Sequence, residues 1–220
     1  SEAECHKALL EVIAKQPNRV AVTCFSSNTA RLASLGDVAH ETGRRVTVLG
    51  RSLFNYLQTA KSTGYLKNFP DLVPTEDLDY LPRSEQLILA TGSQGEPRAA
   101  MARLAKGENQ DLLLEPGDTV IFSSKVIPGN EKKLDRLYDL LSQKKVEVVT
   151  EKEAPIHVSG HPCRDELRWM YRALLPKCVI PVHGEERHMA AHAELASELG
   201  ISSARVVNGD VLHLAASGAS

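Results

Sequence analysis

Apolar positions along the chain alternate between two periods. Residues 1–16 place Ala8, Leu9, Val12 and Ile13 on one helical face, and residues 19–25 (RVAVTCF) form a short apolar run suited to a strand buried on both sides. The pattern then predicts a helix over 29–40, a strand over 45–49, a helix over 51–62 and a strand over 86–90. Residues 68–82, with three prolines and four acidic residues, read as a surface connection. A helix is expected to start near Pro97, since proline suits a first helical position. A strand over 118–122 follows, then a long helix to about 144 with Leu134, Leu137, Leu140 and Leu141 as its buried stripe, then a strand over 146–149. Strands alternating with helices predict an α/β fold: a doubly wound, mostly parallel sheet with helices on both faces.

Three of these strands run out into small polar residues. They are Ser26, Ser27 and Asn28, then Thr91 to Glu96 with Gly92 and Ser93, then Ser123 and Ser124. Right-handed crossovers in a parallel sheet would bring such loops to one carboxyl edge, where ligands sit in open α/β sheets. Hydroxyls and free backbone N–H groups at helix starts suit an anion. At the first loop, plain N-capping by Ser27 or Asn28 is the alternative. The second loop is not a Walker A loop, because its G-x-x-x-x-G-K-[ST] spacing and lysine are absent.

The densest chemistry lies in residues 157–185, HVSGHPCRDELRWMYRALLPKCVIPVHGE. His157, Ser159 and His161 share a short turn. An amphipathic helix bearing Leu167, Met170, Leu174 and Leu175 is closed by Pro176, and a strand over 178–182 delivers His183. Residues 185–200 read as a helix whose His188 and His192, four apart, could chelate a metal or simply occupy a helix face. Residues 204–214 read as a hairpin around Asn208-Gly209, and residues 215–220 as a small-residue tail.

Bulk properties narrow the classes. The chain has 220 residues, 42% hydrophobic and 25% charged, which excludes disorder. No apolar run approaches the roughly 20 residues that span a bilayer, and no signal-peptide pattern opens the chain, so no membrane partner and a cytoplasmic location are expected. Cys5, Cys24, Cys163 and Cys178 lie far apart and read as reduced thiols. A net charge of −2 leaves any grip on nucleic acid to a local patch. Arg98, Arg103, Lys125, Lys132 and Lys133 are candidates for that patch. Phe25, Phe54, Tyr56, Tyr65, Tyr80 and Trp169 are spaced as core or helix-face residues, so few bases are expected to stack.

Four blocks carry a family resemblance: VTCFSSNTAR, ATGSQGEPRAAMARLA, IFSSKVIPGNE, and HVSGH followed by a helix and IPVHGEERH. Together they resemble the ribonuclease J branch of the β-CASP nucleases, which have a metallo-β-lactamase fold. The resemblance implies a β-CASP domain over 1–155, a return segment of the metallo-β-lactamase domain over 156–214, and a tail over 215–220. It implies a zinc-dependent RNA hydrolase, 5′→3′ exonucleolytic with endonuclease capacity, serving RNA processing and decay. By position, Ser159 and His161 would face the scissile phosphate as catalytic residues. Ser26, Ser27, Asn28, Gly92, Ser93, Ser123, Ser124 and His157 would hold the single-stranded RNA backbone and 5′-monophosphate end, although His157 could equally brace its loop. His183 would complete the coordination of two zinc ions held mainly by a half absent from this sequence, since the H-x-H-x-D-H block does not occur. Catalytic zinc needs about three protein ligands, so this chain alone is expected to bind no metal and to be inactive. The abrupt helical start points to a piece of a longer protein. Family members form dimers or tetramers, largely through other parts, which leaves homo-oligomerisation of this chain open. The competing reading is a non-catalytic RNA- or nucleotide-binding module. A nucleotide-dependent enzyme is disfavoured because no G-x-G-x-x-G occurs.

Overall fold

Of five short strands, β1 (Val20–Thr23), β3 (Gln86–Ala90) and β4 (Thr119–Phe122) are buried throughout, while β2 (Arg45–Leu49) and β5 (Glu147–Val149) are partly exposed. In the computed structural model, which describes residues 1–110, 112–215, 218 and 219, they form one parallel sheet in the order β2-β3-β1-β4-β5. Parallel pairing requires crossovers, and helices supply them. One strand face, with Val20, Val22, Val46, Leu87, Leu89 and Ile121, packs on α1 (Glu2–Ala14), α2 (Thr29–Glu41) and α3 (Arg51–Ser62). The alternate residues, among them Ala21, Ile88, Ala90, Val120 and Phe122, pack on α4 (Ala100–Lys106) and α5 (Glu131–Gln143). Each fully buried Leu or Ile in these two layers contributes about 1.5–3 kcal/mol.

The chain divides into two compact units, Ser1–Val158 and Ser159–Ser220. The amino edge of the sheet is tied by charge. Asp118 is fully buried and accepts from Arg83 Nε and Nη2 at 3.2 and 2.5 Å, from Arg19 Nη1 at 3.4 Å and from the Glu115 amide at 2.9 Å. The expected surface connection over 68–82 is more structured than its polar composition suggested. Phe69 and Leu78 are buried, and Thr75–Tyr80 winds into a 3₁₀ helix. Gly36 in α2 lets this connection approach, since a Cβ there would lie 2.7 Å from the Phe69 ring.

The second unit is small. Its helices α6 (Arg164–Leu174) and α7 (Glu186–Glu198) and a two-residue parallel pair, β6 (Cys178–Val179) with β7 (Ser202–Ser203), surround Tyr171, Val179 and Ala196. The expected hairpin over 204–214 is absent among the described residues. Asn208-Gly209 does turn, with the Asp210 amide donating to the Val207 carbonyl at 3.0 Å, but β7 has already paired with β6. Leu214–Ala215 (β8) pairs instead with Gly218–Ala219 (β9), and residues 216, 217 and 220 of the expected tail lie outside the described residues.

Candidate functional site

All five strands point the same way, so the exits of β1, β2 and β3 meet at one edge. They enclose a cleft of about 550 Å³. Phe25 and Ser26 come from the first exit, Gly50, Arg51 and Ser52 from the second, and Thr91, Gly92, Ser93, Glu96, Arg98 and Arg103 from the third. Two glycines allow the walls to close. Gly50 (φ +115°) and Gly92 (φ +119°) both adopt backbone that side chains resist, and a Cβ on Gly50 would overlap the Thr91 side chain. Thr91 Oγ1 in turn accepts from the Ala100 amide at 3.2 Å, which sets the true start of α4 three residues beyond Pro97. The side chains of Arg51, Arg98 and Arg103 have no hydrogen-bonding or ion-pair partner among the described residues. Three guanidinium groups around one cleft, with only Glu96 opposing them, make it a place for an anion.

Of the residues expected to hold substrate, Ser26, Gly92 and Ser93 line this cleft. The others are placed elsewhere. Asn28 caps α2, its Oδ1 accepting from the Arg31 amide at 3.0 Å, and Ser27 is exposed outside the cleft lining. Ser123 and Ser124 are buried struts: their hydroxyls donate to the Ile156 carbonyl at 2.6 Å and to the Ser93 carbonyl at 3.2 Å. Gln94 stitches the same two loops, donating to the Lys125 carbonyl and accepting from the Ile127 amide, each at 2.9 Å. His157 is half-buried and its Nδ1 lacks a hydrogen-bond partner. Burial, and next the nearby Arg31 charge, lower its pKa, partly offset by Glu151, the Ser123 backbone and Glu2. It is therefore neutral at pH 7. Cys24, also at the cleft, is no nucleophile, because burial pushes its thiol up to about 12.

In the second unit, Ser159 Oγ accepts from the His161 amide at 3.1 Å, closing the turn. The rings of His161 and His183 are stacked, with centroids 5.6 Å apart and planes 14° from parallel. The expected strand over 178–182 is paired only at Cys178–Val179, so His183 lies in a bend four residues beyond it, with a left-handed backbone (φ +63°), and both histidines are exposed. Stacked imidazoles do not aim their lone pairs at a common ion, and no cluster of three or more His, Cys, Asp or Glu suited to a metal occurs among the described residues. The described residues by themselves thus do not make a complete zinc site. His188 and His192 have structural tasks: His188 Nδ1 accepts from the Glu185 amide at 3.1 Å, capping α7, and His192 bonds the buried Tyr171 hydroxyl.

Residues 17–141 match the family model described as the ribonuclease J β-CASP domain, and residues 145–206 match the Zn-dependent metallo-hydrolase RNA specificity domain. The chain belongs to the ribonuclease J family. It is 40% identical to a ribonuclease J of Sinorhizobium meliloti over 216 residues, which is 98% of this chain and 38% of the relative. It is 39% identical to a ribonuclease J of Synechocystis, covering 97% of this chain and 34% of the relative, and 35% identical to ribonuclease J2 of Bacillus subtilis, covering 96% and 39%. The chain therefore spans a little over a third of these ribonucleases. The α/β sheet with helices on both faces is the β-CASP part, and the family is zinc-dependent and RNA-directed by its description. No helix among the described residues is long and apolar enough to cross a membrane.

Sequence reasoning missed Arg51, Glu96 and Phe25 as cleft residues. Arg51 had a signal, since it follows Gly50 directly at a strand exit. Phe25 was read with the core or helix-face aromatics, yet it is 36% exposed, and Phe54, Tyr56, Tyr65, Tyr80 and Trp169 are also exposed.

Proposed function

We propose that this chain is the RNA-holding part of a ribonuclease J-type hydrolase, and that the cleft between the β1, β2 and β3 exits grips the phosphate backbone of single-stranded RNA. The observation carrying this reading is the set of Arg51, Arg98 and Arg103, unpaired among the described residues, beside Ser26, Gly92 and Ser93. Guanidinium forks match phosphate oxygens, and an exposed Phe25 offers a face on which a base can stack. Backbone contacts of this kind hold any sequence.

Hydrolysis cleaves a P–O bond after water adds to phosphorus, and the departing oxygen must gain a proton. His161 supplies that proton or stabilises the developing charge, and Ser159 donates a hydrogen bond to a phosphate oxygen. Zinc, two ions in the complete enzyme, would supply Lewis-acid chemistry. This chain contributes to that site no more than His183, so the activation of water falls to residues outside it. The remaining two-thirds of the relatives would supply them, and would cover the exposed Trp169, Met170, Leu174, Leu175 and Val182 of the second unit. Four free thiols fit a reducing compartment, the cytoplasm.

The test is binding of a short 5′-monophosphorylated RNA against its 5′-hydroxyl twin, with metal content and cleavage followed on the same sample. Preference for the monophosphate without cleavage supports a 5′-end pocket in these loops. Equal binding of both leaves a backbone groove, and binding of neither overturns the assignment of the cleft.

A further inference from the structure

Arg31 is fully buried and heads the largest such side chains of the protein, yet no step above uses it. It sits in the first turn of α2, and its guanidinium works in two directions. Nε and Nη2 donate to the two carboxylate oxygens of Glu2 at 3.2 and 3.1 Å, which pairs the charge. Nη1 donates to the Ser123 carbonyl at 3.1 Å, to the Ile156 carbonyl at 3.0 Å, and to the Ser123 hydroxyl, which itself donates to the Ile156 carbonyl. Residues 31, 123 and 156 thus meet on one planar fork.

An apolar side chain of similar volume stabilises a core as well as a buried ion pair does. A guanidinium is needed where the directions of several bonds must be fixed at once. The direction fixed here is that of the backbone at Ile156. Beyond it the chain runs through His157, Val158, Ser159, Gly160 and His161, and the backbone of that run makes no hydrogen bond among the described residues except the internal one from the His161 amide to Ser159. Gly160 has open space around it. Among the described residues, Ile156 is therefore the last whose backbone is hydrogen-bonded to the sheet unit before the turn.

We propose that Arg31 is a positioning residue: by clamping the Ile156 carbonyl to the Ser123 loop, it fixes the point from which the turn bearing Ser159 and His161 departs. The catalytic consequence rests on the reading that Ser159 and His161 face the phosphate; the clamp itself does not.

Two measurements on Arg31→Lys test this, with Asp118→Asn as a control that loosens the opposite edge of the same sheet. On this chain, backbone order parameters for residues 156–158 should fall from about 0.85 towards 0.6 in Arg31→Lys and stay high in Asp118→Asn. In the complete enzyme, at a temperature where all variants are folded, Arg31→Lys should lower kcat on RNA by about 10- to 100-fold with KM little changed, the cost of misplacing a catalytic group, while Asp118→Asn keeps its kcat. Should Arg31→Lys not fold, Ser123→Ala, which removes one strut and keeps the charge, should show the same pattern with a kcat loss of about threefold. Unchanged order parameters, an unchanged kcat, or the same losses in Asp118→Asn overturn the proposal. If the wild-type enzyme cleaves no RNA, the functional reading fails, and the order parameters alone decide the clamp.

Discussion

Replacing Asp118 by asparagine removes a buried charge and turns one acceptor oxygen into a donor. Whichever way the amide is turned, its NH₂ faces donors: Arg83 on one side, or the Glu115 amide and Arg19 on the other. Turning it towards Arg83 costs less, because that side chain is partly exposed and already reaches Glu115 at 3.5 Å. Arg19, nearly buried, then loses its buried counter-charge, although it keeps the half-exposed Glu115 carboxylate at 4.0 Å and the Gln86 Oε1 and Leu113 carbonyl acceptors, each at 2.6 Å. Breaking a buried pair costs about 3–5 kcal/mol, and the retained acceptors place Asp118→Asn near the lower end, about 3 kcal/mol. At roughly 2–4 °C per kcal/mol for a domain of this size, the melting temperature should drop by about 6–12 °C. Thermal and urea unfolding followed by far-ultraviolet circular dichroism measure both quantities. A loss below about 1 kcal/mol with an unchanged urea slope would refute the argument, because it would mean that Arg19 needs no buried charge partner beyond the half-exposed Glu115.

Replacing Arg51, Arg98 or Arg103 by alanine should weaken RNA binding whatever its sequence, and each should reduce the slope of log affinity against log salt by about 0.7; anisotropy titrations over a salt series would show an unchanged slope for any arginine that does not touch phosphate. Gly36→Ala gains about 1 kcal/mol of helix propensity but forces a methyl to within 2.7 Å of the buried Phe69 ring, and overpacking costs about 1–3 kcal/mol. The net loss should be about 1 kcal/mol by urea unfolding, and a stabilised variant would contradict the crowding. His157 has a lowered pKa in the fold, so the unfolded chain binds more protons as pH falls, and the stability present above its ordinary value of about 6.5 is lost below it. His157→Gln should therefore flatten the decline in melting temperature between about pH 7 and pH 5; an equally steep decline would separate that histidine from the acid sensitivity.

The sheet was legible because its inner strands are buried on both faces, which leaves continuous apolar runs, and β2, α3 and β3 fall where the pattern placed them. Local chemistry misled where a distant partner decides. Pro97 looked like a helix start, but the loop over 91–99 must first make turns, with the Gly95 amide donating to Gly92 and the Ala99 amide to Glu96. Leu174, Leu175 and Met170 have the spacing of a buried stripe and are exposed, because periodicity marks an apolar face without saying what covers it. In the site, the loop residues were readable but their tasks were not. Ser123 and Ser26 both follow a strand, and only packing reveals that one is a strut and the other lines the cleft.

β1, the first of the five strands in sequence order, occupies the middle of the sheet, and its two neighbours, β3 and β4, lie some 65 to 100 residues later. A ribosome adding about 5–20 residues per second leaves the apolar Val20–Thr23 segment with both hydrogen-bonding edges open for several seconds before either neighbour emerges. Through that interval α1 and α2 can shelter one face, but helices cannot satisfy the edges. Pairing over such long separations is slow, and an open apolar strand invites the wrong partner. The position of β1 thus leaves this segment open to mispairing until residues 86–90 have been made, and chaperone capture or slowed translation in that window would protect it.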